Sequence, residues 1–236
     1  MRILFSLLTA LLFISCSPKI KSTVNRPNLT AIAVEKPIHV LKPIDALPEK
    51  EYGVGRVYVN ARSAEHNVSY EEIIKLGQQE ARKMGANVLK IEKHYRPDLN
   101  KPGHRIYATA YYIEDFKPEE YRIEEPIYED WDHALIFVYR PHGYGYAIGY
   151  NLFLDDEKVM RVKNRSASVI KVKDFGEHTL WAKTEKRKEV KINIEKGKTY
   201  YLRCGVGMGI LVGVPTMELV EWSDGKYEYD KLNQEK

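Results

Sequence analysis

The chain has 236 residues, 44% apolar and 30% charged, the composition of a globular protein with enough apolar surface for one or two ordinary cores. Its 37 basic and 33 acidic residues interleave to a net charge of only +4, which argues against a nucleic-acid partner.

The first element is an apolar run, Ile3 to Ile14, behind the basic start Met1-Arg2 and broken only by Ser6, Thr9 and Ala10. A bilayer-spanning helix needs about 20 apolar residues, so this run has the length and flanks of a signal-peptide core instead. Ser15 supplies the small residue before a cleavage point, and Cys16 follows at once. Phe13-Ile14-Ser15-Cys16 resembles the lipobox of bacterial lipoproteins. The resemblance implies a signal peptide over residues 1–15, cleavage before Cys16, and acyl chains on Cys16 that hold the protein on a membrane. Ser17 as the second mature residue implies the outer membrane, with the globular part in the periplasm or at the cell surface. Cys204 is then the one free thiol, and its apolar stretch Tyr200 to Val206 makes it a small buried residue. Residues 16–36 are polar, carry Lys19, Lys21 and Arg26, and show no sustained period. They read as a lipidated flexible tether, of which twenty extended residues would reach at most about 65 Å.

A small α/β domain is expected over residues 37–115. Gly53 to Asp115 carries a βαββ pattern: a strand alternating at Val54, Arg56, Tyr58 against Val57, Val59, then a helix opened by the capping box Ser69-Tyr70-Glu71-Glu72. Tyr70, Ile73, Ile74, Gly77, Ala81 and Met84 make one apolar stripe on that helix, and Gly85 ends it. Strands follow at Val88 to Ile91 and Arg105 to Ile113. The run Ala81-Arg82-Lys83-Met84-Gly85-Ala86-Asn87-Val88-Leu89 resembles the small α/β domain of several bacterial envelope proteins, among them the outer-membrane sensor lipoprotein of the Rcs stress system. That resemblance spans about Val40 to Ile113 and implies a fold rather than an activity.

Residues 116–132, with Pro118, Pro126 and the carboxylates of Glu119, Glu120, Glu124, Glu125, Glu129 and Asp130, read as an acidic linker. From His133 the period is two almost throughout. Strands are predicted at Ala134 to Tyr139, Tyr146 to Leu154, Val159 to Val162, Ser168 to Val172, His178 to Lys183, Glu189 to Ile194, Thr199 to Val206 and Thr216 to Glu221. Short strands at this spacing, with no helix of useful length among them, predict an antiparallel β-sandwich over residues 133–222 and an α+β chain as a whole. Residues 223–236 read as a polar C-terminal tail. Ile136-Phe137-Val138-Tyr139-Arg140, Phe175-Gly176-Glu177-His178-Thr179-Leu180 and Gly197-Lys198-Thr199-Tyr200-Tyr201-Leu202-Arg203 resemble a bacterial lipoprotein domain of unknown function, similar in plan to transthyretin-like and carboxypeptidase-regulatory sandwiches.

The pattern with most to offer a partner is the Gly-rich loop after Arg140, where His142, Tyr144 and Tyr146 are interleaved with Gly143 and Gly145. Tyrosine gives a large rigid contact area at low entropic cost, and glycine lets a partner approach the backbone. Arg140, His142, Tyr144 and Tyr146 are therefore the expected surface for an envelope protein or glycan. A hairpin loop packed on the sandwich edge is the competing reading. Gly205, Gly207, Gly209 and Gly213 precede β-branched residues and Pro215 rather than a helix, so they read as a strand connection and not a phosphate loop. The seven histidines include no pair at metal-ligand spacing on a helix, and His178 at a turn reads as a hydrogen-bonding strand lock. No nucleophile elbow occurs, and the acidic pairs lie in turns or the linker. The expectation is a non-catalytic binding or sensing lipoprotein with no cofactor or metal, against an envelope hydrolase with an unrecognised site or a structural spacer.

Overall fold

The structure, a computed structural model, describes residues 18–61, 68–98 and 101–234. The expected signal segment, residues 1–15, and Cys16 lie outside the described residues. The chain is α+β, mostly sheet, with a small α/β unit followed by a β-sandwich.

The small unit is built on helix α1, Tyr70–Lys83. Its capping box closes in both directions: Ser69 Oγ accepts from the Glu72 amide at 3.2 Å, and the Ser69 amide donates to Glu72 at 2.8 Å. The helix buries Ile73, Gly77 and Ala81 on a five-stranded sheet of order β1-β3-β5-β4-β2. The strands are β1 Lys19–Val24, β2 His39–Leu41, β3 Gly53–Asn60, β4 Val88–Tyr95 and β5 Arg105–Tyr111. Gly77 lets the helix approach closely, since a Cβ there would lie 2.9 Å from Leu89 and 3.3 Å from Ile106. Gly85, at φ +79°, turns the chain out of the helix.

Two segments differ from their sequence-based reading. The expected free tether is not free from residue 19 onward: β1 pairs antiparallel with β3, from Lys19 opposite Asn60 to Val24 opposite Gly55. The following stretch is bound to α1, with Leu29 and Ile32 on its core and the Arg82 guanidinium donating to the carbonyls of Ile32, Ala33 and Lys36. The expected polar tail is also ordered. Residues Trp222–Gln234 form helix α2, which lays Leu232, Trp222 and Tyr229 against Tyr139, Tyr201 and Val220.

The sandwich comprises β6 Ala134–Arg140, β7 Tyr150–Leu154, β8 Glu157–Val162, β9 Ser166–Val172, β10 Gly176–Lys183, β11 Arg187–Ile194, β12 Thr199–Gly207 and β13 Val214–Val220. One sheet runs β11-β10-β7-β8 and the other β13-β12-β6-β9. The core between them holds Ile136, Val138, Leu152, Leu180, Leu202 and Cys204. Pairing is antiparallel except at the centre of the second sheet, where β6 and β12 run parallel, Thr199 opposite Leu135. The outer face of that sheet carries Phe137, Tyr139 and Tyr201 under α2, which explains the nearly unbroken apolar run of β6: both of its faces are covered. The segment 116–132 holds one 3-10 turn, Pro118–Glu120, and is tied back where Asp45 accepts from the Ile123 amide at 3.2 Å.

Polar contacts join the two units. Arg96 reaches Glu228 at 3.1 Å, Glu218 at 3.1 Å and Asp224 at 3.4 Å, and the Tyr227 hydroxyl donates to the Glu92 carbonyl at 3.1 Å. Beside Arg96, His94 stacks on Tyr70 with centroids 4.0 Å apart and shares a 2.9 Å hydrogen bond with His104. Burial, then the Arg96 guanidinium, pushes His94 down to about 3 from an ordinary 6.5. The folded protein therefore keeps this imidazole neutral while the unfolded chain takes up a proton below about pH 6.5. The unfolding free energy is expected to fall as the pH drops from about 6.5 toward 3, His94 contributing a slope of at most about 1.4 kcal/mol per pH unit. Denaturant unfolding across this range, with and without His94→Gln, measures that share. A His94 ring that titrates near 6.5 by NMR would contradict it.

Candidate functional site at one pole of the sandwich

Four connections converge at one end of the sandwich. β6 ends there at Arg140, opposite Ser166 at the start of β9, so loop 141–149 and turn 163–165 are neighbours. β12 runs parallel to β6 and brings loop 208–213 to the same end, and the β10–β11 turn at 184–186 joins it through Glu185.

Of the four residues singled out for partner contact, the structure corrects the placement of one. Arg140 is not at the surface: it is 1% exposed and sits inside its own loop. Its guanidinium donates to the carbonyls of Ile148 at 2.5 Å and Gly145 at 2.7 Å, with Tyr144 O at 3.5 Å. A forked donor can fasten several carbonyls of a tight loop at once, and its place at the end of β6 aims it into that loop. The other three residues are on the surface. His142 Nδ1 accepts from the Asn164 side-chain amide at 3.1 Å, Tyr144 is half exposed and Tyr146 is 70% exposed. Gly145 adopts φ +66° and packs on Val206, where a Cβ would come within 2.8 Å of that side chain. The loop is therefore a rigid mount for two outward tyrosines.

Beneath it, the Tyr150 hydroxyl donates to the Gly205 carbonyl at 2.9 Å, and burial pushes the neighbouring Cys204 thiol up to about 12, which leaves it unreactive.

The adjoining loop was not recognised from sequence as a surface feature. Its glycines do form a strand connection, but the amides of residues 210–213 also converge on an anion, the Glu185 carboxylate. The Ile210 and Gly213 amides donate to it at 2.7 and 2.9 Å, those of Leu211 and Val212 as well. These bonds, the Val212 amide foremost, hold the Glu185 carboxyl down at about 2. Thr184 Oγ1 closes the same turn on the Gly213 carbonyl at 2.5 Å. The tip so fixed exposes Met208, Val212, Ile210 at 90% and Leu211 at 89%. The available signal was the apolar run Met208 to Val212 lying between two glycines, outside any alternating strand pattern.

At the opposite end, His178 locks β10 as expected, its Nδ1 2.7 Å from Asp155, whose other oxygen accepts from the Thr179 amide at 2.8 Å. A second open surface lies on the small sheet, on the face away from α1. There Tyr58, Tyr107 and Tyr95 follow one another with centroids 4.6 and 5.9 Å apart, beside Lys21, Arg56 and Lys93. Among the described residues no His, Cys, Asp and Glu side chains gather in groups suited to a metal ion, and no helix is long and apolar enough to cross a membrane.

Comparison with known proteins adds one relative and no assignment. No family model matches the chain, and no solved structure matches it. It is similar to an uncharacterized protein of Haemophilus influenzae, 29% identical over 99 residues, which cover 42% of this chain and 58% of that protein.

Proposed function

We propose that this protein is a membrane-anchored lipoprotein of a bacterial cell envelope, acylated on Cys16, that acts as a non-catalytic binding or sensing module through the pole of its sandwich. The anchoring half of the reading rests on the lipobox-like Phe13-Ile14-Ser15-Cys16. The binding half rests on one observation: Tyr144 and Tyr146 stand outward on a loop whose backbone is fastened from within by the buried Arg140. Aromatic side chains presented on a rigid frame lose little entropy on contact, which is how compact binding surfaces gain affinity. A glycan partner would fit the open sheet face better, where Tyr58, Tyr107 and Tyr95 offer stacking rings between cations.

Cells fed an alkyne fatty acid are expected to label the full-length protein and not Cys16→Ala. A photo-crosslinking side chain at position 144 is expected to yield defined adducts with an envelope component, and one at position 107 to do so if the ligand is a glycan. Label that persists without Cys16 removes the anchor. Absence of adducts at both positions removes the binding role and leaves a spacer or an enzyme to be sought by substrate screening.

A further inference from the structure

We propose that the sandwich pole docks on an anionic lipid bilayer, with Ile210 and Leu211 entering the acyl boundary. The inference rests on the reading of the pole as the binding surface and names its partner. Four features of the pole point to lipid rather than to a protein groove.

The first is shape and composition. Met208, Ile210, Leu211 and Val212 form a convex apolar tip, nearly fully exposed at its two central residues, where a partner protein would be expected to meet a concave pocket. The second is the state of the backbone at that tip. A loop entering hydrocarbon must bring its own hydrogen-bond partners, because none are supplied there. The amides of residues 210–213 are already bonded to Glu185, and the carboxylate is in turn surrounded by donors. The third is the rim. Tyr144 and Tyr146 flank the tip as rings suited to the headgroup level, and Lys163, Arg165 and Lys186 lie exposed on the neighbouring turns. Among the described residues none of these three cations forms an ion pair with a carboxylate, so their charge faces outward toward anionic headgroups.

The fourth is continuity with the expected anchor. Lys19 opens β1 opposite Asn60, Asn60 lies opposite Arg105, and Arg105 opposite Tyr95, which places Lys19 about 15 Å across the sheet from the end of β4. The chain leaving β4 brings Asp98 against the loop of His142, Tyr144 and Tyr146. Cys16 can lie at most about 11 Å from Lys19. The acyl chains on Cys16 and the apolar tip can thus meet one membrane surface, the chains supplying the anchor and the tip adding a reversible contact of its own that sets which end of the sandwich faces the bilayer.

The test uses the full chain carrying Cys16→Ser, with an environment-sensitive dye on Leu211→Cys or, at the far end of the sandwich, on Asp174→Cys. The buried Cys204 thiol does not compete for label. With phosphatidylglycerol-containing vesicles, the dye at 211 is expected to shift to the blue and to be quenched by nitroxides on the acyl chains, while the dye at 174 stays in water. Adding Ile210→Ser is expected to raise the lipid concentration for half-saturation at least ten-fold, and neutral phosphatidylcholine vesicles to give little response. A silent dye at 211, equal responses at both positions, or equal response to neutral lipid would overturn the inference. Position 144 separates the two readings. Lipid adducts there agree with it, protein adducts with a silent 211 dye sink it while sparing the binding module, and absence of both sinks it together with the pole as a binding surface.

Discussion

Arg140→Ala is expected to destabilise the protein by about 4 kcal/mol, more than any substitution of the exposed tyrosines it supports. The guanidinium is buried and its acceptors are backbone carbonyls of residues 145 and 148, with Tyr144 O at the limit of bonding distance. Truncation leaves those oxygens without a donor where water enters poorly, at about 1–3 kcal/mol each, and opens a cavity beside Tyr150. Lysine keeps the charge but lacks the fork, so Arg140→Lys should recover only part of the loss. Tyr146→Ala, by contrast, should stay within about 0.5 kcal/mol of the parent. Urea unfolding with an unchanged denaturant slope measures all three. A loss below about 1 kcal/mol for Arg140→Ala would mean that the loop carbonyls rehydrate, and that the tyrosines are not rigidly mounted.

The second large effect is expected at Glu228, on α2. Its carboxylate accepts from Arg96 Nε at 3.1 Å, Arg203 Nε at 2.9 Å and the Tyr139 hydroxyl at 2.9 Å. Burial, then the Glu228 charge, pushes the Tyr139 phenol far above its ordinary value, so it remains a donor at every working pH. Glu228→Ala strips two poorly solvated guanidinium groups of a shared counter-charge, which costs about 3 kcal/mol. Glu228→Gln, which keeps an acceptor, should cost less. Glu218→Ala should cost under about 1 kcal/mol, because that carboxylate is mostly solvated. Since Arg96 belongs to the small unit and Glu228 to the helix on the sandwich, Glu228→Ala should also split a single calorimetric transition in two. Retention of one transition with unchanged midpoint would remove Glu228 as the link between the units.

Local chemistry was what could be read in advance. Ser69 and Glu72 reveal a helix start because both halves of the capping box lie within four residues, and the alternation of β10 and β12 reports burial on one face at a time. β1 escaped because five of its six residues are exposed, so its pairing is a matter of backbone bonds to β3 and leaves no apolar signature in Lys19–Val24. Helix α2 escaped because its buried side is aromatic and interrupted by Gly225. That glycine is needed, since a Cβ there would lie 2.3 Å from Tyr201. At the pole, the Tyr144–Tyr146 loop was legible as a surface, but whether Arg140 faced water or carbonyls depended on where Ile148 returned. The bonds between Glu185 and residues 210–213 join segments about 25 residues apart, a separation beyond any local pattern.

The parallel pairing of β6 with β12 also sets an order of assembly. Everything in the small sheet lies before residue 112, so that unit can close while the rest of the chain is still being delivered. β6 cannot do the same. One of its edges waits for a strand that begins about sixty residues later, with both its faces apolar in the meantime. For a chain delivered N-terminus first, that interval is the period of greatest exposure to aggregation. A sandwich truncated before Thr199 would never leave it.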